Sequence, residues 1–497
     1  MKTARNKPIN IIIFLLFIWS TPGLAGNLPF EIFQPQANLD TTNRFYKAYP
    51  GLEYNVRLAV AGGGFPYQFA LTNAPTGMTI DARGEISWAN PAESNTPYQV
   101  TASVTDSEGA SQSVSWTITV TTTGFLFVDA LNGTTTDQGG TGTLSNPWKT
   151  MKDVYGGDDY DSKWSSDYQG SFVYWREGEY ILDAFLENCS TSNCHVPWYG
   201  NKPKVWIAYP GETPEINFNS SGRDGYLLFT NNTSNLYLDG FDFNLSNNSR
   251  GKGLSIGNNG NITIRKNTFR GLTNCWSGGN NSQLFFSNGG NGQYTSAQDN
   301  IASESCGYWL LGYASPKTVV ENNHITTNIP LPIGPKSGIQ NWTIRGNHIQ
   351  GQTDGGAIFI QEFGTSGDIE INFNLIQMSQ SSGPALRLFS SDPSGPIYVN
   401  RNTFVGQAVA WHLSDTKGPW EFTQNVIINN AASADKITRQ GTVDESRLLI
   451  SDNLVGDLSD NIVNSQGELT AEYIHFIGNR GHQVGGIIDS VFANGFE

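Results

Sequence analysis

The chain has 497 residues, of which 55 are Gly and 49 are Asn, and only 15% are charged, well under the roughly 25% of an average globular domain. Gly and Asn form helices poorly, which disfavours a helical protein, and an aromatic content of 12% excludes general disorder. A formal net charge of −15 opposes sequence-independent nucleic-acid binding, and the length allows two or three domains.

Residues 1–25 read as a secretory signal peptide. Lys2, Arg5 and Lys7 form a basic start, Ile11 to Trp19 is an unbroken apolar run, and Gly23-Leu24-Ala25 supplies small residues for cleavage. The apolar run is too short to span a bilayer, and no later segment is apolar enough. Without those three basic residues the chain keeps 26 basic against 44 acidic residues, a net charge of −18. A secreted protein is expected, with the bacterial cell surface as the alternative.

The four cysteines suit an oxidising compartment. Cys189 and Cys194 lie 5 apart, Cys275 and Cys306 lie 31 apart, and local pairing would give two disulfides among three connectivities. Neither pair has the Cys-x-x-Cys spacing of a zinc site.

After an N-terminal segment, 26–44, residues 45–121 have a character of their own. Short alternating runs recur at about ten-residue spacing: Tyr67 to Leu71, Met78 to Ile80, Glu85 to Trp88, Tyr98 to Val104 and Ser113 to Val120. Between them lie the turns Pro75-Thr76-Gly77, Asp81-Ala82-Arg83-Gly84 and Asp106-Ser107-Glu108-Gly109. This pattern indicates a β-sandwich. From Pro75 through Gly84-Glu85-Ile86-Ser87 to Val104-Thr105-Asp106 it resembles the immunoglobulin-like or cadherin-like modules of bacterial surface proteins, which implies a spacer or binding module. Asp106 and Glu108 read as turn residues ahead of calcium ligands.

From Gly124 the pattern changes. Phe125 to Val128 is a strand, and Asn146-Pro147 is expected to cap and start a helix running to Val154. Strands follow at Phe172 to Tyr180 and at Val205 onward. A unit of apolar-x-apolar-x-x-Asn-x-apolar then repeats, as Ile262 to Phe269, Trp342 to Ile349 and Ile397 to Phe404. Its Asn column is Asn267, Asn323, Asn347, Asn374, Asn402, Asn425, Asn453 and Asn479, with Asp299 replacing it once and Phe241 in an earlier copy. A period near 25 residues, at about 3.3 Å per residue, makes one coil of three short strands and turns. Such units fold only by stacking. The Asn side chains, at a turn suited to left-handed backbone, are expected to form a ladder of amide bonds and to be structural.

Together with Pro147-Trp148-Lys149-Thr150, Arg176-Glu177-Gly178-Glu179-Tyr180 and Ala208-Tyr209-Pro210-Gly211-Glu212, this repeat resembles the right-handed parallel β-helix of polysaccharide lyases and related carbohydrate-active proteins. The resemblance implies an all-β solenoid of about ten coils over 124–484, followed by a tail, 485–497. It also implies that ligands lie on outward side chains of the first strand of each coil. Three such strands are readable, at 357–362, 385–390 and 410–415. Alternation puts Ile358, Ile360, Leu386, Leu388, Trp411 and Leu413 inside, and stacks Phe359, Arg387 and His412 outside, with Gln361, Phe389 and Ser414 as the next column. Tyr308, Trp309 and Tyr313 are assigned to an earlier coil of the same face.

The expected site follows from that stack. Arg387 is the candidate base or carboxylate clamp with His412 as its partner, the set a lyase acting on uronic acids needs. Phe359, Gln361, Phe389 and Trp309 are candidate substrate contacts. Glu362 and Asp415 are candidate Ca2+ ligands, with Asp392 also near a strand end. Arg265 and Lys266 read as surface residues, Arg176 as structural, and Lys336 sits in a Pro/Gly-rich stretch without an assigned place. The expected activity is β-elimination of an acidic polysaccharide by a monomer. A non-enzymatic adhesin binding a cell-surface glycan is the competing class. A glycoside hydrolase, which needs two facing carboxylates, is the third reading; the paired Asp run of β-helix hydrolases is missing.

Overall fold

The computed structural model describes residues 28–35, 43–155, 172–182, 195–198, 204–218, 226–230, 235–246, 248, 251–257, 261–275, 281–287, 294–326, 328–351, 355–362, 367–378, 383–390, 395–406, 411–416, 418–429 and 437–456. The signal-peptide region, the tail, Cys189, Cys194, Asp392 and Asn479 lie outside the described residues. So does the end of the expected solenoid span, 457–484.

The described residues are all-β apart from a few short helical turns. Those from Phe125 to Gly456 form a parallel β-solenoid of three sheets, with twelve, eleven and ten strands in order of their place around the coil. The twelve-stranded sheet begins at Phe125–Val128 and ends at Leu448–Ser451; it is called here the docking sheet. The eleven-stranded sheet follows it in each coil, and the ten-stranded sheet, from His195–Trp198 to Ile437–Val443, is the open sheet. Each strand pairs in parallel register with the equivalent strand of the next coil, as Ile262↔Thr295 and Ile369↔Ile397 do. Alternation turns every second residue inward, and one continuous apolar core runs from Val128 to Ile427.

The ladder stands between the docking and eleven-stranded sheets. Asn347 shows the pattern: its backbone N–H and Nδ2 both donate to Asn374 Oδ1, at 3.0 and 2.9 Å, and Nδ2 also reaches Val320 O at 2.9 Å. The same pair of hydrogen bonds links Asn267, Asn300, Asn323, Asn347, Asn374, Asn402, Asn425 and Asn453 in turn. Two readings are corrected. Asn300, not Asp299, holds the position after Asn267. The left-handed residue is the one before each ladder Asn: Lys266, Asp299, Asn322, Phe373, Arg401, Gln424 and Asp452 all have φ between 52 and 58°. Asn is therefore selected by its amide, which satisfies buried backbone groups, and the turn strain falls on its neighbour.

The expected helix start also moves. Asn146-Pro147-Trp148 run as bridges and turns, with Asn146 Nδ2 donating to Gly139 O at 2.9 Å. The helix spans only Met151–Tyr155. Thr150 caps it: Asp153 N–H reaches Thr150 Oγ1 at 3.3 Å and Asp153 Oδ2 accepts the Thr150 N–H at 2.9 Å, a reciprocal cap that competes successfully with Asn146.

The N-terminal domain is a sandwich of a four-stranded and a three-stranded sheet. It contains the five expected strands, now Gln68–Asn73, Met78–Ile80, Glu85–Trp88, Tyr98–Thr105 and Ser111–Val120, around a core that includes Tyr54, Ile86, Trp116 and Ile118. Asp106 spends its carboxylate on the backbone N–H groups of Gly64, Glu108 and Ala110, which is turn chemistry.

This domain does not stand apart as a spacer. It lies across the outer face of the docking sheet through buried ion pairs. Arg57 meets Asp299 at 2.6 Å and Glu321 at 3.1 Å, while Arg345 meets Glu321 at 2.7 Å, Tyr67 Oη at 2.6 Å and Val60 O at 2.9 Å. Arg265, expected at the surface, is fully buried and donates to Asn55 at 2.6 Å. Lys266 keeps partial exposure but binds Glu85 at 2.6 Å. The N-terminal strand Glu31–Gln34 is held between the two, pairing with Ala59–Ala61 and bonding to Thr263.

Candidate functional site

With the docking sheet covered, the open sheet presents an outer face to solvent. The pairing register fixes its columns. Phe359, Arg387, His412 and Thr438 are successive partners in one, and Tyr313, Lys336, Gln361, Phe389, Ser414 and Gln440 in the other. Neighbours in a column are about 4.8 Å apart along the solenoid. The six residues expected inside are all buried in the core.

Arg387 is the centre of this face. Its guanidinium lies over the Phe359 ring at 4.9 Å from the centroid, a contact that holds the charge while covering Phe359 to 6% exposure. Its Nε is buried without a hydrogen-bond partner, as are Gln361 Oε1 and Ser414 Oγ on the adjoining strands. Three unpaired polar atoms on three consecutive coils are costly in a finished fold and are suited to an incoming ligand. His412 Nδ1 is 2.6 Å from Thr438 Oγ1. Burial, and then the charge of Arg387, lower the His412 pKa against an opposing bond from Gln440, so its neutral form persists to lower pH than an ordinary imidazole's.

Aromatic rings continue the face towards the N-terminal coils. Phe285 and Tyr313 lie 5.8 Å apart, and Lys336, now placed at the end of the strand Leu331–Lys336, reaches over Tyr313 at 5.2 Å. Tyr308 folds over Gly334, where an added Cβ would come within 2.3 Å of its ring. Burial first, with Tyr313 adding and Arg387 opposing, pushes the Tyr308 hydroxyl up to about 12.

Trp309 is a correction. It faces inward, is fully buried and belongs to the core near Phe269, because its neighbour Tyr308 takes the outward position. Glu362 and Asp415 lie on the strands Ile358–Glu362 and Trp411–Thr416, but their side chains lie outside the described residues. Among the described residues no group of three or more His, Cys, Asp or Glu converges as a metal site. The described side chains of the two columns include Lys336, Arg387 and His412 and no carboxylate, in a chain of net charge −15. Arg176 pairs in a fork with Glu212 at 2.6–2.9 Å and stacks on Tyr209, a structural role. Cys275 and Cys306 form a disulfide as expected. No described helix is long and apolar enough to cross a membrane.

Comparison with known proteins bears on the N-terminal domain. A family model described as a putative Ig domain matches residues 36–121. No curated protein matches this chain. Among solved structures, the Agl-KA catalytic domain is similar at 9% identity over 86% of both chains, with a TM-score of 0.17, which carries no argument.

Proposed function

We propose that the protein is a secreted carbohydrate-active enzyme that binds an acidic polysaccharide along the open sheet and cleaves it by β-elimination. The observation that carries this reading is the buried, unpartnered Nε of Arg387 on a face with aromatic rings and cations. Arg387 clamps the uronate carboxylate and stabilises the charge that develops when the C5 proton leaves. His412, with its pKa lowered, accepts that proton on the nitrogen turned away from Thr438. Phe359 positions the guanidinium, and Phe389 and Tyr313 offer ring faces to sugar residues on either side. Calcium held by Glu362 and Asp415 would neutralise the same carboxylate, and no step is assigned to it. The right-handed winding of the solenoid belongs to this reading and rests on the general preference of parallel crossovers.

The test is a screen of the purified protein against pectate, alginate and glycosaminoglycans, read as absorbance of the unsaturated product with and without EDTA. On a cleaved substrate, Arg387→Ala lowers the rate by at least about a hundredfold, and an exposed Asn95→Ala control does not. Equal rates for both variants would remove Arg387 from the mechanism. Binding of whole polymers without any cleavage would favour the adhesin reading instead.

A further inference from the structure

The second place where polar groups converge is the seam between the two domains. A cleft of about 280 Å3 opens there, close to the lower end of the size range of small-molecule sites. One wall is formed by Arg44, Glu53, Asn55, Glu85 and Ser87 of the sandwich, and the other includes Tyr174, Tyr209 and Asp239 of the solenoid. Neither wall exists without the other domain, so the site depends on the docked arrangement.

The walls are held in place. Arg44, 1% exposed, donates to Lys47 O at 2.7 Å, Glu53 O at 3.2 Å and Tyr174 Oη at 3.2 Å. Asn55 donates to Glu85 at 2.7 Å and Ser87 at 2.9 Å. Fixed groups of this kind bind without the entropy loss of ordering them.

Unused hydrogen-bonding capacity defines the ligand. Arg44 Nε is buried without a partner, and so is Glu85 Oε2 as a hydrogen-bond acceptor, although Arg265 stands 3.5 Å from it. Asp239 uses Oδ2 towards Tyr237 and Arg265, and Glu53 lines the cleft as well. Lys266 lines the cleft too and pairs with Glu85, Arg265 pairs with Glu85 and Asp239, and Arg176 pairs with Glu212, so most of the charge in the lining is already compensated. A ligand that fits must bring hydroxyls that both donate and accept, and no net charge, since an added charge would compete with pairs already made.

We propose that this interdomain cleft is a binding site for a neutral sugar residue, separate from the open-sheet face and different from it in charge preference. It would hold a neutral end or branch of a glycan whose acidic part engages the cationic face, but the site itself stands on its own lining.

The experiment uses the full protein and measures binding of glucose, galactose and mannose, with glucuronate and galacturonate as charged counterparts, by ligand-observed NMR and calorimetry. At least one neutral sugar is expected to bind saturably, and both uronates at least about tenfold more weakly. Ser87→Trp, which fills the cleft, should abolish that binding, whereas Phe389→Ala on the open sheet should leave it intact. If Ser87→Trp does not fold, Glu53→Gln takes its place, with at least about a threefold loss expected. Absence of binding by all three neutral sugars, uronates binding equally well, or binding that survives the cleft variant would each overturn the proposal. None of these outcomes touches lyase activity, which reports on the other face.

Discussion

Replacing Asn374 with Ala removes one rung of the ladder. In the native chain Asn374 Oδ1 accepts two bonds, from the N–H and Nδ2 of Asn347, and Nδ2 donates to Ile344 O at 2.9 Å and Asn402 Oδ1 at 2.9 Å. After truncation the Asn347 N–H has no acceptor, and Asn347 Nδ2 keeps only Val320 O. Asn402 Oδ1 still accepts the backbone N–H of residue 374. Two buried donors are thus left short, at about 1–3 kcal/mol each, so the variant should lose about 2–6 kcal/mol. Because stacked coils unfold through nearest-neighbour interfaces, the loss should concentrate locally. Denaturant titration gives the total, and hydrogen exchange gives its location, with the Asn347 amide expected to lose protection first. The exposed Asn95→Ala control should stay within about 0.5 kcal/mol. A loss for Asn374→Ala no larger than the control's, with the Asn347 amide equally protected, would refute the ladder as a source of stability.

Arg265→Ala should destabilise the docked domains by about 3–5 kcal/mol, since it leaves buried Asp239 and Glu85 short of their cation; faster proteolysis at the seam would report it. Asp299 is held down to about 2 in the fold, against burial, by Arg57 and by bonds from Arg57 and Asn322. Its stabilising contribution is full above the ordinary Asp range near 3.8 and is lost as pH falls from about 4 to about 2; Asp299→Asn should flatten that part of a stability-against-pH curve. On the eleven-stranded sheet, burial and the adjacent His348 lower His324 to about 4. The unfolded chain then binds more protons, so stability should decline as pH falls from about 6.5 to about 4, and His324→Phe should lessen that decline, the rest coming from His348 and His412, which are lowered too. On a cleaved polysaccharide, the acidic limb of kcat/KM should titrate below the ordinary imidazole range because of His412, and His412→Ala should abolish that limb.

The repeat made the solenoid legible in the sequence. Apolar residues at every second position and an Asn once per coil leave few ways to bury one and satisfy the other. The same alternation predicted that Phe359, Arg387 and His412 would share a column, since register between parallel coils admits no slip without exposing Ile358 and Leu388. Trp309 was misread because its strand breaks alternation at its start: counting back from the outward Tyr313 puts Trp309 outside, yet both Trp309 and Leu310 join the core. Arg265 and Lys266 looked like solvent-facing charges because their partners, Asn55 and Glu85, lie some 200 residues away in another domain. The sequence by itself therefore determined the coil, its ladder and the sandwich, all of which follow from local periodicity. Only the tertiary structure decided that the sandwich covers one sheet and leaves another open, because that depends on charges meeting across the seam, which no spacing within either domain encodes.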